Sequence, residues 1–197
     1  MAGKWLLAFL VMLLASVSGC GYSWLGSNNP WNAKGVQSVY IQTLRNDTLK
    51  AGVEVPFTSA LVKEFAKGGR FKIVSNELDA DAVVSGSVAT ASSAVGGSTT
   101  VPAITKDKVA LATLEDYVIA TDYTASASII VNLTRKVDGK VLWSQTLNRS
   151  KSYPGNNRYG LQGTTSVLIN SSQEQFALIE IARFLASDAY ENMLEAF

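Results

Sequence analysis

Between Tyr117 and Lys136 the chain alternates more cleanly than anywhere else. Tyr123, Ala125, Ala127, Ile129, Val131 and Leu133 fall on one face, and Thr124, Ser126, Ser128, Asn132 and Thr134 on the other. A period of two predicts a β-strand with one buried and one wetted face, and so an antiparallel neighbour. Asp138-Gly139 then signals a hairpin into Val141 to Arg149. The faces choose its register. A two-residue loop would set Leu133 opposite Ser144, whereas a three-residue loop over 137–139 sets Leu133 opposite Trp143 and Ile129 opposite Leu147. The second arrangement is expected, with Gly139 in the left-handed bulge position.

The remaining elements follow from the same kind of pattern. Val36 to Leu44 is rich in β-formers and reads as a first strand, closed by a turn at Asn46-Asp47-Thr48. From Gly52 to Lys67 the period lengthens: Phe57, Leu61 and Phe65 recur four apart, with Lys63, Glu64 and Lys67 on other faces, which predicts an amphipathic helix. Pro56 suits its first turn and Gly68-Gly69 its end. Arg70 to Ser75 and Ala82 to Ser92 resume strands on either side of an acidic turn at 79–81. Residues 93–116, with Gly96-Gly97, Ser98, Thr99, Thr100 and Pro102, read as a long loop, and 150–170 as a second irregular connection. A long helix is expected from about Ser172 to Phe197, opened by a Ser171-x-x-Glu174 capping box and burying Leu178, Ile181, Ala182, Leu185, Ala189 and Met193. Strand, helix, four strands, helix implies an α+β two-layer sandwich. Its mixed sheet of four to five strands would carry two helices on one face, with the first strand, first helix and second strand forming a parallel unit.

The N-terminal pattern adds an address. Lys4, an apolar run from Trp5 to Ala15 and the small residues Ser16 to Gly19 have the build of a secretory signal peptide, too short to span a bilayer. Val17-Ser18-Gly19-Cys20 resembles a bacterial lipobox, which implies lipidation of Cys20, the only cysteine in the chain. Gly21 after it resembles the sorting signal of outer-membrane lipoproteins. The expected organisation is a removed signal peptide at 1–19, a lipidated N-terminus and tether at 20–35, and a single α+β domain at 36–197. The tether carries Gly, Ser, Asn, Pro30, Trp24 and Trp31; its tryptophans either pack on the domain or sit at the membrane interface, and core packing is favoured.

Composition removes most chemistries. With 17 basic against 16 acidic residues, and Lys4 lost with the signal, no global field attracts nucleic acid. The chain has no histidine, so the commonest general base and metal ligand are missing. No phosphate loop, metal-ligand cluster or nucleophile-base pair is apparent, and no cofactor is implied. Gly96-Gly97 lacks a strand-to-helix context. Asp47, Asp79 and Asp81 lack calcium-loop spacing.

Several short motifs in order resemble one family. Cys20-Gly21-Tyr22, Asn46-Asp47-Thr48, Gly52-x-Glu54 through Thr58-x-Ala60-Leu61 to Glu64-Phe65, Gly69-Arg70-Phe71, Asp81-Ala82-Val83-Val84-x-Gly86 and Gly139-Lys140-Val141-Leu142-Trp143 are similar to the LptE family of lipopolysaccharide-assembly lipoproteins. The chain departs from better-known members in its Ser/Thr-rich 93–113 stretch and in lacking a long polar tail. The resemblance implies a non-enzymatic lipoprotein on the periplasmic face of the outer membrane. It would plug and help assemble a large LptD-like β-barrel translocon and contact lipopolysaccharide. Because that lipid is anionic, Lys106, Lys108 and Arg158 are the candidate contacts. The competing reading is a structural or chaperone lipoprotein of another outer-membrane or secretion complex.

Overall fold

The computed structural model describes residues 29–101, 117–155 and 164–196. It is an α+β two-layer sandwich, as the pattern predicts, with six strands in place of the expected four to five. In chain order the elements are β1 (Ser38–Ile41), β2 (Arg45–Asn46), α1 (Glu54–Gly68), β3 (Lys72–Ile73), β4 (Ala82–Val101), β5 (Tyr117–Arg135), β6 (Val141–Pro154) and α2 (Thr164–Glu195). The strand order is β3-β1-β4-β5-β6, with the added β2 pairing onto β4 beyond the end of β1. β1 runs parallel to both β3 and β4, while β5 is antiparallel to both of its neighbours, β4 and β6.

One face of the sheet is apolar for the reason visible in β5. Ala125, Ala127, Ile129, Val131 and Leu133 are all buried, together with Ala82, Val84 and Val88 of β4 and Leu147 of β6. Both helices lie on that face. α1 contributes Phe57, Ala60, Leu61 and Phe65, and stops at Gly69 with φ 63°. α2 contributes the six residues expected of it, together with Ala177, Ala186 and Tyr190. The rings of Phe65 and Tyr190 meet edge to face at 5.1 Å, joining the two helices. Each fully buried side chain of Leu, Ile or Phe size contributes roughly 1.5–3 kcal/mol, and this shared layer is the stabilising core.

The β5–β6 register is the expected one: Leu133 faces Trp143, Ile129 faces Leu147, and Gly139 has φ 65°. The connection itself is wider than three residues, since β5 ends at Arg135 and β6 starts at Val141. Arg135 pairs with Asp138 across it through the guanidinium and carboxylate at 3.0 Å.

Three expectations need correction. Residues 93–101 are not loop; they continue β4, pairing Ser93 with Ala125 through to Val101 with Tyr117. Ser150 to Pro154 likewise continue β6 alongside β5. The resulting β4–β5 arm is largely solvent-exposed on both faces, so it shows no apolar alternation from which a strand could be read. Second, α2 begins at Thr164, placing Ser171 inside the helix, so the capping-box reading fails. Third, Gly21 to Gly35 is not irregular throughout: Pro30–Lys34 form a turn of 3-10 helix. Asn29 caps that turn by accepting from Trp31 N–H at 2.9 Å, and donates to the Val36 carbonyl at 2.7 Å. Trp31 itself is fully buried and donates its indole N–H to the Met193 carbonyl at 3.0 Å, so it packs on the domain. Trp24 lies outside the described residues.

A bulge divides the long strand. Val88 pairs with Ile129 and Thr90 with Ser128, leaving Ala89 as an extra residue with no partner. Before the bulge the even-numbered residues of β4 face the helices; after it, Ala91, Ser93 and Val95 do, through their pairing with Ala127, Ala125 and Tyr123.

Candidate functional site

The sheet face turned away from the helices is built from three strands in register. Ser85, Asn132 and Ser144 form one row, followed by Ser87, Ile130 and Thr146, then Thr90, Ser128 and Asn148. Ser92, Ser126 and Ser150, then Ala94, Thr124 and Ser152, complete it toward the arm. Every position in these rows except Ile130 and Ala94 is Ser, Thr or Asn, and none is charged. The groups bond laterally: Ser144 donates to Asn132 Oδ1 at 2.6 Å, and the Thr124 and Ser152 hydroxyls meet at 3.1 Å. This is a neutral surface dense in donors and acceptors. It can adapt to a polar wall because a hydroxyl rotates to donate or accept. The sequence pattern showed only its central strand; its flanks needed the register.

Charge sits at the margin. At the β2 end Arg45 forms a two-pronged pair with Asp47, at 2.7 and 2.9 Å. That guanidinium, then a hydrogen bond from Ser87, lowers the Asp47 carboxyl from 3.8 to about 2. Asp81 is a structural residue: one of its oxygens accepts from Gln37 N–H, Ser38 N–H and Ser38 Oγ at 3.0, 2.8 and 2.8 Å, anchoring the start of β1. Those bonds to Ser38 hold its carboxyl below the usual range. Asp47 and Asp81 are thus bound to different partners, and no metal-holding group of acidic residues occurs among the described residues.

The helix layer differs in character. Val55, Phe176, Ile179 and Phe184 are exposed on it, and the groove between α1 and α2 is also lined by Pro56, Lys63 and Arg183. No helix among the described residues is long and apolar enough to cross a membrane.

Cys20, Lys106, Lys108 and Arg158 lie outside the described residues. The strands that carry their segments are nevertheless placed. Val101 and Tyr117, which bracket 102–116, pair at one end of the sheet; Gly155, from which 156–163 departs, donates to the Thr121 carbonyl at 2.9 Å a few residues away. Both segments therefore leave from the same end. Asn29 is at the other end, where Arg135 bonds the Lys34 carbonyl at 3.2 Å. The 19 residues of β5 separate the two ends by roughly 60 Å at about 3.3 Å per residue.

The described residues thus form a two-layer α+β domain with a neutral hydrogen-bonding face on the side away from its helices. Its family follows from sequence: the LptE model, described as lipopolysaccharide-assembly, matches residues 36–193, and the chain belongs to that family. It is thereby an envelope lipoprotein of lipopolysaccharide transport. No curated protein matches it in sequence. Among solved structures it is similar to protein XCC0632 from Xanthomonas campestris, at 10% identity and TM-score 0.51 over 81% of this chain and 85% of that one. That likeness shows the fold. It is also similar to the PelC dodecamer from Paraburkholderia phytofirmans, at 15% identity and TM-score 0.46 over 83% and 87% of the two chains. A third is the rare lipoprotein B from Shewanella oneidensis, at 13% identity and TM-score 0.41 over 78% and 95%.

Proposed function

We propose that this protein is a non-enzymatic lipoprotein held on the periplasmic face of the outer membrane through Cys20. Its domain plugs and helps assemble an LptD-like β-barrel lipopolysaccharide translocon. The observation that carries the reading is the uncharged Ser/Thr/Asn face. The interior wall of such a barrel is polar, so a plug needs matching hydrogen-bond capacity rather than an apolar patch. A neutral face also leaves no uncompensated charge against that wall.

Lipopolysaccharide contact belongs to the far end of the molecule. Lys106, Lys108 and Arg158 sit on the two segments that leave from the arm end, which supports a shared basic site for phosphate or carboxylate groups of the lipid. Cys20 precedes Asn29 in the chain, at the opposite end, so the anchor and the lipid contact would be separated along the arm.

The test is a photo-crosslinking amino acid at Ser126 or Ser128, with Phe176 on the helix layer as comparison, followed by detergent purification. A crosslink from the sheet face to a large outer-membrane barrel is expected. Recovery of a secretion pore, or of no barrel, would overturn the reading. Replacing Lys106, Lys108 and Arg158 together by Ala is expected to weaken lipopolysaccharide binding, and unchanged affinity removes that part alone. An unmodified Cys20 in mass spectra of the mature N-terminal peptide would remove the anchor.

A further inference from the structure

The groove between the two helices has the chemistry of an aromatic receptor. It is about 780 Å³ in volume, and its apolar lining includes Ile179 and Phe184 of α2, which are 44% and 52% exposed. Lys63 and Lys67 of α1 and Arg183 of α2 stand along it. Glu64 is engaged by Lys67 at 3.3 Å and Glu180 by Lys151, which leaves Lys63 and Arg183 without an ion pair among the described residues. An apolar slot flanked by free cations matches an indole or phenol ring, which buries its body while its electron-rich face attracts the charge. The chain uses this pairing elsewhere: Lys34 Nζ lies 4.3 Å from the centroid of the Trp31 ring.

One segment carries the matching groups and starts next to the groove. Residues 21–28 read Gly-Tyr-Ser-Trp-Leu-Gly-Ser-Asn, with two aromatics, a leucine and no charge. The described chain opens at Asn29, two residues before Trp31, whose indole bonds the Met193 carbonyl in the last turn of α2. From Met193 back along α2 it is about 9 Å to Ser187, at the near end of the groove, and about 14 Å to Phe184. The five residue steps from Asn29 back to Trp24 reach about 17 Å when extended. The segment is also tethered to the groove it would fill. A short linker presents it at an effective concentration of order millimolar, which any separate partner or second copy would have to exceed.

We propose that residues 22–25 dock in this groove, with the Trp24 indole against Phe184 and between Lys63 and Arg183. The segment's lack of charge keeps it from competing for those cations, and Gly26-Ser27-Asn28 supplies the bend that turns the chain from the end of the domain onto its helix layer. Docked in this way, the chain leaves Cys20 on the helix side of the domain, and the hydroxyl rows face away from it. The docking depends on neither the translocon reading nor lipidation.

The experiment is photo-crosslinking in whole cells, with benzoylphenylalanine in place of Trp24 in the full chain. A product of monomer mass is expected, with the residue-24 peptide joined to α1 or α2 residues that line the groove. The double variant Ile179→Glu, Phe184→Glu changes two exposed positions, so the circular dichroism of the purified protein should be unchanged while the yield of that product falls at least roughly tenfold. Crosslinks to lipid, to another protein or to a second copy in place of the groove overturn the proposal, as does a yield that the double variant leaves unchanged. Should the double variant not fold, the reciprocal placement decides: benzoylphenylalanine at Phe184 must label the 20–28 peptide above the background set by Ser126 on the sheet face, and failure to do so overturns the proposal.

Discussion

Trp31 ties the first described turn of the chain to its last helix, and removing it should be costly far beyond its local sequence. The indole is fully buried and its N–H reaches the Met193 carbonyl at 3.0 Å, across 162 positions of sequence. Trp31→Ala empties a ring-sized site, and such truncations typically cost about 3–5 kcal/mol. Trp31→Phe keeps most of the ring but strips the donor from a carbonyl in the last turn of α2, which has no intrahelical partner to replace it. That loss is worth about 1–3 kcal/mol. Against a typical domain stability of roughly 5–15 kcal/mol, the alanine variant should lose about a fifth or more. Urea denaturation followed by far-UV circular dichroism measures this without relying on the fluorophore being removed. The expected order of stability is wild type, Phe, Ala. A loss below about 0.5 kcal/mol for Trp31→Ala, the range of ordinary surface substitutions, would refute the packing argument.

A Cβ at Gly86 would run into the backbone carbonyl of Ile130, so Gly86→Ala should destabilise by about 1–3 kcal/mol, read as a lower urea midpoint. Asp47 and Asp138 are each lowered from 3.8 to about 2, chiefly by hydrogen bonds from Arg45 and Arg135. A depressed folded-state value means their contribution is present above the unfolded value and lost as pH falls through the folded one. Stability should therefore drop between pH 3.8 and about 2, and the double variant Asp47→Asn, Asp138→Asn should flatten that slope; an identical slope would count against both pairs. Arg149 and Asp188 meet at 2.8 Å, but the arginine is half-exposed, so a double-mutant cycle should return no more than about 1 kcal/mol, shrinking further with added salt.

What was readable in the chain is what a buried face writes into it. β5 shows its core residues at every second position, α1 shows Phe57, Leu61 and Phe65 at helical spacing, and matching apolar faces set the Ile129–Leu147 register. The arm was unreadable for the complementary reason: Ser92 to Val101 form a strand without burying one face, so the ladder holds them while no alternation reports it. Ser171 and Glu174 carry a helix-start signature inside a helix that begins earlier, because a local capping preference yields to continuing backbone hydrogen bonds. Trp31 could be suspected of packing, but its partner lies too far along the chain for any local pattern to name. Of the candidate site, Thr124, Ser126 and Ser128 were visible as a polar stripe; Ser85, Thr90, Ser144 and Asn148 join it only through strand pairing.

The extra residue at Ala89 lets the arm be aimed separately from its pairing. Deleting it would leave Val88 opposite Ile129 and Thr90 opposite Ser128, so no cross-strand partner changes. What changes is the local bend and twist that the bulge imposes. A single-codon gain or loss at this point would swing everything beyond it as a unit. The direction in which the arm carries its tip could thus diverge between lineages while the core, the register and the hydroxyl rows stayed as they are.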